Sequence, residues 1–340
     1  MKFREYIESN RDAIYNTIIR YLPVSESEEY MRMVRDYTDR QGSYRRPALL
    51  MLTGEMYGAA REELLLPAAA MQLSEDWILI HDDAEDDSEL RRGKPALHKI
   101  YGVEQAVNAG DIAHMSMWYM LKDYIKKSGI EKGIRVYDKF YDLLSRTVEG
   151  QYTEIKFMKD TKLIGRADES LYLKIISSKT CYYTVYGPMQ LGALIAGAGE
   201  KVLKALKEIG DPAGKAFQIV DDILDMTADE AVFGKKRYGD LYEGKLTLII
   251  LHTYKNATEA EKREIDKIYG QDRSQKSKDE IRFLVSLIEK YNGIEYAKAQ
   301  AEKYGELSKE KIAEHARLLP DGPYRETMVS AMEDLSVRKK

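Results

Sequence analysis

Residues 66–87 read LPAAAMQLSEDWILIHDDAEDD. An apolar stretch runs without a turn signal into Asp82-Asp83-Ala84-Glu85-Asp86-Asp87, which predicts one long helix. Residues four apart share a helix face, so Asp82 and Asp86 project side by side with Asp83 beside them. Carboxylates about 4 Å apart repel by roughly 4 kcal/mol at an effective dielectric of 20. Trp77, Ile78, Leu79 and Ile80 lead directly into the cluster, so part of it belongs to a semi-buried wall that needs compensating positive charge. Hard oxygen donors of this kind suit Mg²⁺, which keeps several waters and bridges carboxylates to substrate phosphates.

The same spacing recurs at Asp221-Asp222-Ile223-Leu224-Asp225, inside the apolar stretch AFQIVDDILDMTADE. One such cluster is commonplace on a solvated helix. Two, each fed by an apolar helix and followed by a basic loop, are specific. The loops are Arg91-Arg92-Gly93-Lys94-Pro95 and Gly234-Lys235-Lys236, with Gly244-Lys245 further on. Arginine offers a planar fork to phosphate oxygens and lysine a point charge. The pattern implies a polyphosphate held from two sides, by metals on the carboxylates and by cations on the remaining oxygens. No GxxxxGK[ST] occurs, which argues against an ordinary nucleotide kinase.

Around these motifs the chain of 340 residues reads as helix after helix, with 8 prolines and 23 glycines as punctuation. Ile7, Ile14 and Ile18 begin the pattern, which stops at Pro23; Ser27 is a candidate cap, and Pro47 a first-turn proline. Helices are expected at about 103–127, 130–159, 167–197, 200–210, 212–228, 245–254 and 258–269, with two or three more after the polar loop at 270–280. Pro188 should kink its helix. The expected fold class is all-α, in a single domain over 1–340. A net charge of −4 argues against a generic nucleic-acid-binding protein, 44% hydrophobic content supports a sizeable core, and the lone Cys181 excludes an internal disulfide. No long uncharged apolar run or signal-peptide core is present, so the expectation is a cytoplasmic protein without an integral membrane segment.

At this point the residues resemble a known family, the trans-isoprenyl diphosphate synthases or polyprenyl synthetases, including geranylgeranyl and farnesyl diphosphate synthases. LIHDDAEDDSELRRGKPALHKIYG is similar to their first aspartate-rich motif, and FQIVDDILDMTADEAVFGKKRYGDLYEGKLTL to their second. SSKTCYYTVYGPMQLGALIAG resembles their lysine-threonine helix, with AVNAGD and GQYTE in register. The resemblance implies a helical bundle around a deep central cavity, a homodimer, and about three Mg²⁺ ions binding an allylic prenyl diphosphate, which is joined head to tail to isopentenyl diphosphate. It assigns Asp82, Asp86 and Asp221 as principal metal ligands, with Asp83, Asp222 and Asp225 beside them. Arg91, Lys179 and Lys235 match positions that hold the allylic diphosphate, with Lys245 expected to join them when the site closes, and Thr180 and Gln218 match groups facing the developing cation. Arg46 and Arg92 match the second-diphosphate pocket.

That pocket departs from the family pattern. Gly42-Ser43-Tyr44-Arg45-Arg46-Pro47 has serine where the family carries a phosphate-binding lysine, and Glu75 stands where it carries a histidine. Either the pocket is rebuilt with condensation kept, or the second substrate is different and the enzyme cyclises or transfers the prenyl group elsewhere; a non-catalytic partner of an active synthase is a third reading. Trp77, five residues before Asp82, matches a family position on the floor of the elongation tunnel. Five residues at 1.5 Å rise place it roughly 7.5 Å down the helix, which predicts a C15–C20 product. His98 and His114 read as structural, and Arg338-Lys339-Lys340 as a frayed tail.

Overall fold

The isoleucine stripe of Ile7, Ile14 and Ile18 is the buried face of α1 (Phe3–Tyr21), which ends ahead of Pro23. Ser27 caps α2 (Glu28–Asp39) by accepting the Tyr30 amide at 3.3 Å. The structure is a computed structural model that describes residues 1–159, 164–227 and 237–336. Pro47 falls in the first turn of α3 (Arg45–Met56), where no helical N–H is needed. The long acidic-ended helix is α4 (Arg61–Glu85), with Asp86 as its C-cap.

The loop expected after it contains a two-residue hairpin. β1 (Leu90–Arg91) pairs antiparallel with β2 (Lys94–Pro95), and Arg92 and Gly93 turn the corner at φ 53° and 76°. Left-handed conformation at both central residues is what so tight a hairpin requires. Otherwise the described residues are helical, as expected: α5 (Leu97–Tyr101), α6 (Val103–Ser128) and α7 (Ile130–Lys159) follow.

Two prolines behave differently from the sequence expectation. Pro188 produces no simple kink. α8 (Glu169–Ile176) runs into a π-helical stretch, Ser177–Tyr186, and then α9 (Gly187–Ile195). The Gly187 amide donates to the Tyr182 carbonyl, so the wide turn precedes Pro188, which lacks a donor and starts the next segment. Pro212 does not divide its region in two: α10 (Glu200–Thr227) passes through it. Ser308, from a later helix, donates to the Ile209 carbonyl in the turn before the proline, and buried Leu206, Ile209, Ala213 and Ala216 keep the apolar face continuous.

The remaining elements are α11 (Gly239–Glu243), α12 (Leu248–Asn256), α13 (Glu259–Tyr269), α14 (Lys278–Lys290), α15 (Gly293–Glu314) and α16 (Pro323–Ser336). The buried core extends from Phe3 to Leu335. Within it α4 packs on α6, α3 on α9, and α10 on both α15 and the π-helical stretch. The α3–α9 approach needs Gly192, where a Cβ would lie 2.0 Å from the Leu50 carbonyl oxygen. Cys181 is buried against Gly214 and packs as a small apolar group, as expected. Among the described residues, no helix is long and apolar enough to cross a membrane.

Candidate active site

The end of α4, the π-helical stretch, the C-terminal half of α10 and the segment through α11 to Thr247 surround one hollow. Asp221, Asp222, Asp225, Asp240, Lys179 and Lys245 line its inner part. Asp82, Asp86, Asp225, Asp240 and Lys245 line the part adjoining the hairpin. Asp225, Asp240 and Lys245 border both, so the two acidic motifs line adjoining spaces.

Two lysines of this lining reach the first motif. Lys179 Nζ pairs with Glu154 and lies 3.7 Å from Asp82 Oδ1. Lys245 Nζ is 2.7 Å from Glu243 Oε2, 3.3 Å from Asp86 Oδ2 and 3.9 Å from Asp240 Oδ1. Burial works against charge on both ammoniums, but the surrounding carboxylates outweigh it and raise their pKa values. Burial, with repulsion from Asp82 and Glu243 opposed by Lys245, pushes Asp86 up to about 7. Burial also pushes Asp222 up to about 7, against hydrogen bonds from Gln218 and Tyr172. Asp240 is raised well above the usual carboxylate range by burial and by Asp225.

The positions within each motif are not equivalent. Asp83 is fully buried and accepts the Tyr37 hydroxyl at 2.5 Å. Arg91 forks onto the same carboxylate, with Nε 2.9 Å from Oδ2 and Nη2 on Oδ1. Asp82 instead accepts Gln151 Nε2 at 3.0 Å and stands 3.8 Å from Arg91. In the second motif Asp222 accepts Tyr172 Oη at 2.7 Å and Gln218 Nε2 at 2.8 Å, and Asp225 accepts the Asp240 amide at 3.1 Å. Thr180 Oγ1 donates to Gln218 Oε1 at 2.7 Å, so these two expected partners touch.

Other expected residues lie elsewhere. Trp77 is buried between α4 and α6, its ring 4.7 Å from that of His114 and 5.7 Å from that of His81. His98 is buried, with Nε2 3.3 Å from Asp87. Arg46 and Arg92 converge on Glu75 and Asp76. Lys235 and the Arg338–Lys340 tail lie outside the described residues. Sequence reading gave no roles to Tyr37, Gln151, Glu154, Tyr172, Asp240 and Glu243. The signal for Gln151 and Glu154 was the word GQYTE, and for Asp240 and Glu243 the stretch RYGDLYEGK. The tyrosines carried none.

The donor set suits a hard divalent cation: carboxylates from two helices outnumber the cations that separate them. Among the described residues, three His, Cys, Asp or Glu donors come within 4.8 Å of one another at Glu208, Glu314 and His315, away from this hollow. The described motif aspartates are not gathered so closely, and Lys179 and Lys245 sit against the first of them.

A helical bundle with two aspartate-bearing helices and two lysines around one hollow defines the class of all-α synthases that handle prenyl diphosphates. The chain belongs to the polyprenyl synthetase family, whose pattern matches residues 27–288. It is a prenyltransferase. It is similar to the geranylgeranyl diphosphate synthase of Methanosarcina mazei, 33% identical over 317 residues and covering 92% of both chains. It is similar also to the geranylfarnesyl diphosphate synthase of Aeropyrum pernix, 33% identical over 276 residues, covering 80% of this chain and 83% of the relative. The crystal structure of geranylgeranyl pyrophosphate synthetase from Pyrococcus horikoshii Ot3 matches with a TM-score of 0.84 at 28% identity, over the full length of both chains.

Proposed function

We propose that this protein condenses isopentenyl diphosphate with an allylic prenyl diphosphate, head to tail, to give a trans-prenyl diphosphate of roughly 15 to 20 carbons, the length being set by a floor about 7.5 Å below Asp82. The observation that carries the reading is the pair of acidic motifs lining adjoining parts of one hollow, with Lys179 and Lys245 in its wall beside Asp82 and Asp86. Asp82, Asp86 and Asp221 are the proposed ligands of Mg²⁺, about three ions per site, with Asp222 and Asp225 adjacent. When bound, the metal supplies positive charge to the diphosphate oxygens as they leave.

Lys179 and Lys245, with Lys235, bind the remaining oxygens of the allylic diphosphate. Its C1–O bond breaks and the electron pair departs with the diphosphate. Thr180 Oγ1 and Gln218 Oε1 present oxygen dipoles to the allylic cation. The double bond of isopentenyl diphosphate forms the new carbon–carbon bond, and the resulting tertiary cation loses a proton to the released diphosphate. Asp83 and Arg91 act together, as a pair that fixes the end of α4. The chain works as one domain and as a homodimer. Ile134, Tyr141 and Val148 recur every seven residues on α7 and are exposed, as are Met115 and Tyr119 on α6, apolar surface suited to a second copy. Sedimentation velocity should show a dimer that Tyr141→Glu splits; a wild-type monomer would refute that part.

The test of the chemistry gives purified protein and Mg²⁺ dimethylallyl, geranyl or farnesyl diphosphate, each with and without isopentenyl diphosphate. Extended products that require isopentenyl diphosphate are expected. Products from the allylic substrate alone, or no turnover, would overturn the reading.

A further inference from the structure

The N-terminus of α3 is charged the wrong way for an isolated helix. Its first turn holds Arg45 and Arg46 and no acid, and Tyr44, in left-handed conformation at the N-cap, supplies no side-chain cap. A helix N-terminus already carries partial positive charge, so cations there are unfavourable unless an anion faces them. In this structure the anion belongs to the chain. Arg46 Nη1 lies 2.9 Å from Glu75 Oε2, its Nη2 donates to Thr184 Oγ1 at 2.9 Å, and its guanidinium sits over the Tyr183 ring.

Arg92 reaches the same carboxylate from the hairpin turn. Its Nη2 is 3.6 Å from Glu75 Oε1 and 3.1 Å from Asp76 Oδ1. The path depends on Gly42, where a Cβ would come 2.5 Å from that nitrogen. Burial pushes the Glu75 carboxyl up, but Arg46 and Arg92 outweigh this and hold it below the ordinary range, so it is ionised near neutrality. Asp76 has other partners, accepting Thr38 Oγ1 at 2.9 Å and Gln72 Nε2 at 3.3 Å. Ser43 is exposed and adds no charge. The positive charge of Arg46 and Arg92 is therefore matched by Glu75 and Asp76 before any ligand arrives.

We infer that, with Arg46 and Arg92 as the acceptor-diphosphate site that the family resemblance implies, Glu75 is a built-in counter-anion that occupies this arginine pair and competes with the incoming second diphosphate. This deepens the condensation reading and rests on it. A diphosphate entering the pocket takes Arg46 and Arg92 from a carboxylate that already satisfies them, so much of its interaction energy replaces an existing ion pair. The consequence is a high KM for isopentenyl diphosphate, while the allylic site keeps its own cations. Glu75 thus sets the affinity for the acceptor diphosphate.

The experiment is steady-state kinetics with both diphosphates, on the wild type and on Glu75→Gln and Glu75→His. In the wild type the KM for isopentenyl diphosphate should exceed that for the allylic substrate by at least about tenfold. In Glu75→Gln it should fall by about tenfold relative to the allylic KM, and Glu75→His should lower it further by restoring a cation. Equal KM values in the wild type, a measurement that needs no variant to fold, would overturn the inference. So would a Glu75→Gln enzyme with an unchanged or raised acceptor KM, since that would make the carboxylate a support that orients the arginines. A wild type that consumes allylic diphosphate without isopentenyl diphosphate would instead refute the condensation reading itself.

Discussion

Lys245 Nζ lies 3.3 Å from Asp86 Oδ2, tying the segment after α11 to the end of α4. The same ammonium meets Glu243 and Asp240, so one cation serves carboxylates from both sides of the hollow. In a site that works by binding a diphosphate between metals and cations, such a group would move from protein carboxylates to substrate oxygens as the ligand arrives. Lys245→Met should therefore reduce kcat/KM for the allylic diphosphate by ~100-fold, the scale of losing one charge-stabilising donor. Lys245→Arg should keep part of the activity. Wild-type kinetics in Lys245→Met would show that the lysine only fills space between acids.

Asp82 and Asp83 are neighbours in sequence with different surroundings, and the two asparagine variants should separate them. Asp83 holds the buried Arg91 and the Tyr37 hydroxyl. Asp83→Asn leaves a buried guanidinium short of its counter-charge, which typically costs 3–5 kcal/mol. Its Tm should fall sharply. Asp82 is partly exposed beside Lys179 and Gln151. Asp82→Asn should leave Tm nearly unchanged and cut kcat by at least ~100-fold. Equal thermal shifts in the two variants would contradict this division, and would be read by calorimetry.

The crowded carboxylates also give a pH signature. Asp86 and Asp222 have folded-state pKa values raised to about 7 from 3.8. A raised value means that the folded state binds the proton more tightly than the unfolded chain. Stability from these groups is full below about pH 4 and declines as pH rises through 7. On this account the metal-free protein loses part of its Tm between pH 6 and pH 8. Mg²⁺ binds the deprotonated carboxylates, so the Tm increase it produces should be larger at pH 8 than at pH 6. Differential scanning fluorimetry with and without Mg²⁺ measures both, and a larger Mg²⁺ effect at pH 6 would refute the account.

Much of this was legible in the sequence, for a physical reason: helical periodicity places i and i+4 carboxylates on one face whatever packs behind them. The end of α1 ahead of Pro23 and the cap at Ser27 followed from local chemistry alone. The missed features depend on distant partners. Pro212 sits inside α10, and the packing around it draws on a residue ninety-nine positions from Ile209, whose carbonyl accepts Ser308 Oγ. The π-helical stretch at Ser177–Tyr186 has no periodic signature of its own. The inequivalence of Asp82 and Asp83 rests on Tyr37, which nothing in the motif announces. Glu75 was visible as an acid in an expected cationic pocket, but only the coordinates reveal it as the partner of Arg46 and Arg92.

Product length gives the last prediction. Trp77 lies on α4 about five residues, or ~7.5 Å, below Asp82. It is 8% exposed, its ring tilts against that of His114, and its indole nitrogen has no hydrogen-bond partner among the described residues. His114 in turn accepts the Trp118 indole N–H at 2.8 Å, and Trp118 packs on Tyr137, so a second aromatic layer stands behind the first. Trp77→Ala should lower stability by about 3–5 kcal/mol through the cavity it leaves. If the elongation path ends on this ring, the same cavity should admit one or two further isoprene units before the chain meets His114. Mass spectrometry of the products should then show a shift of that size, and a wider shift in Trp77→Ala combined with His114→Ala. An unchanged product ladder in Trp77→Ala would place the floor elsewhere and leave the tryptophan as core.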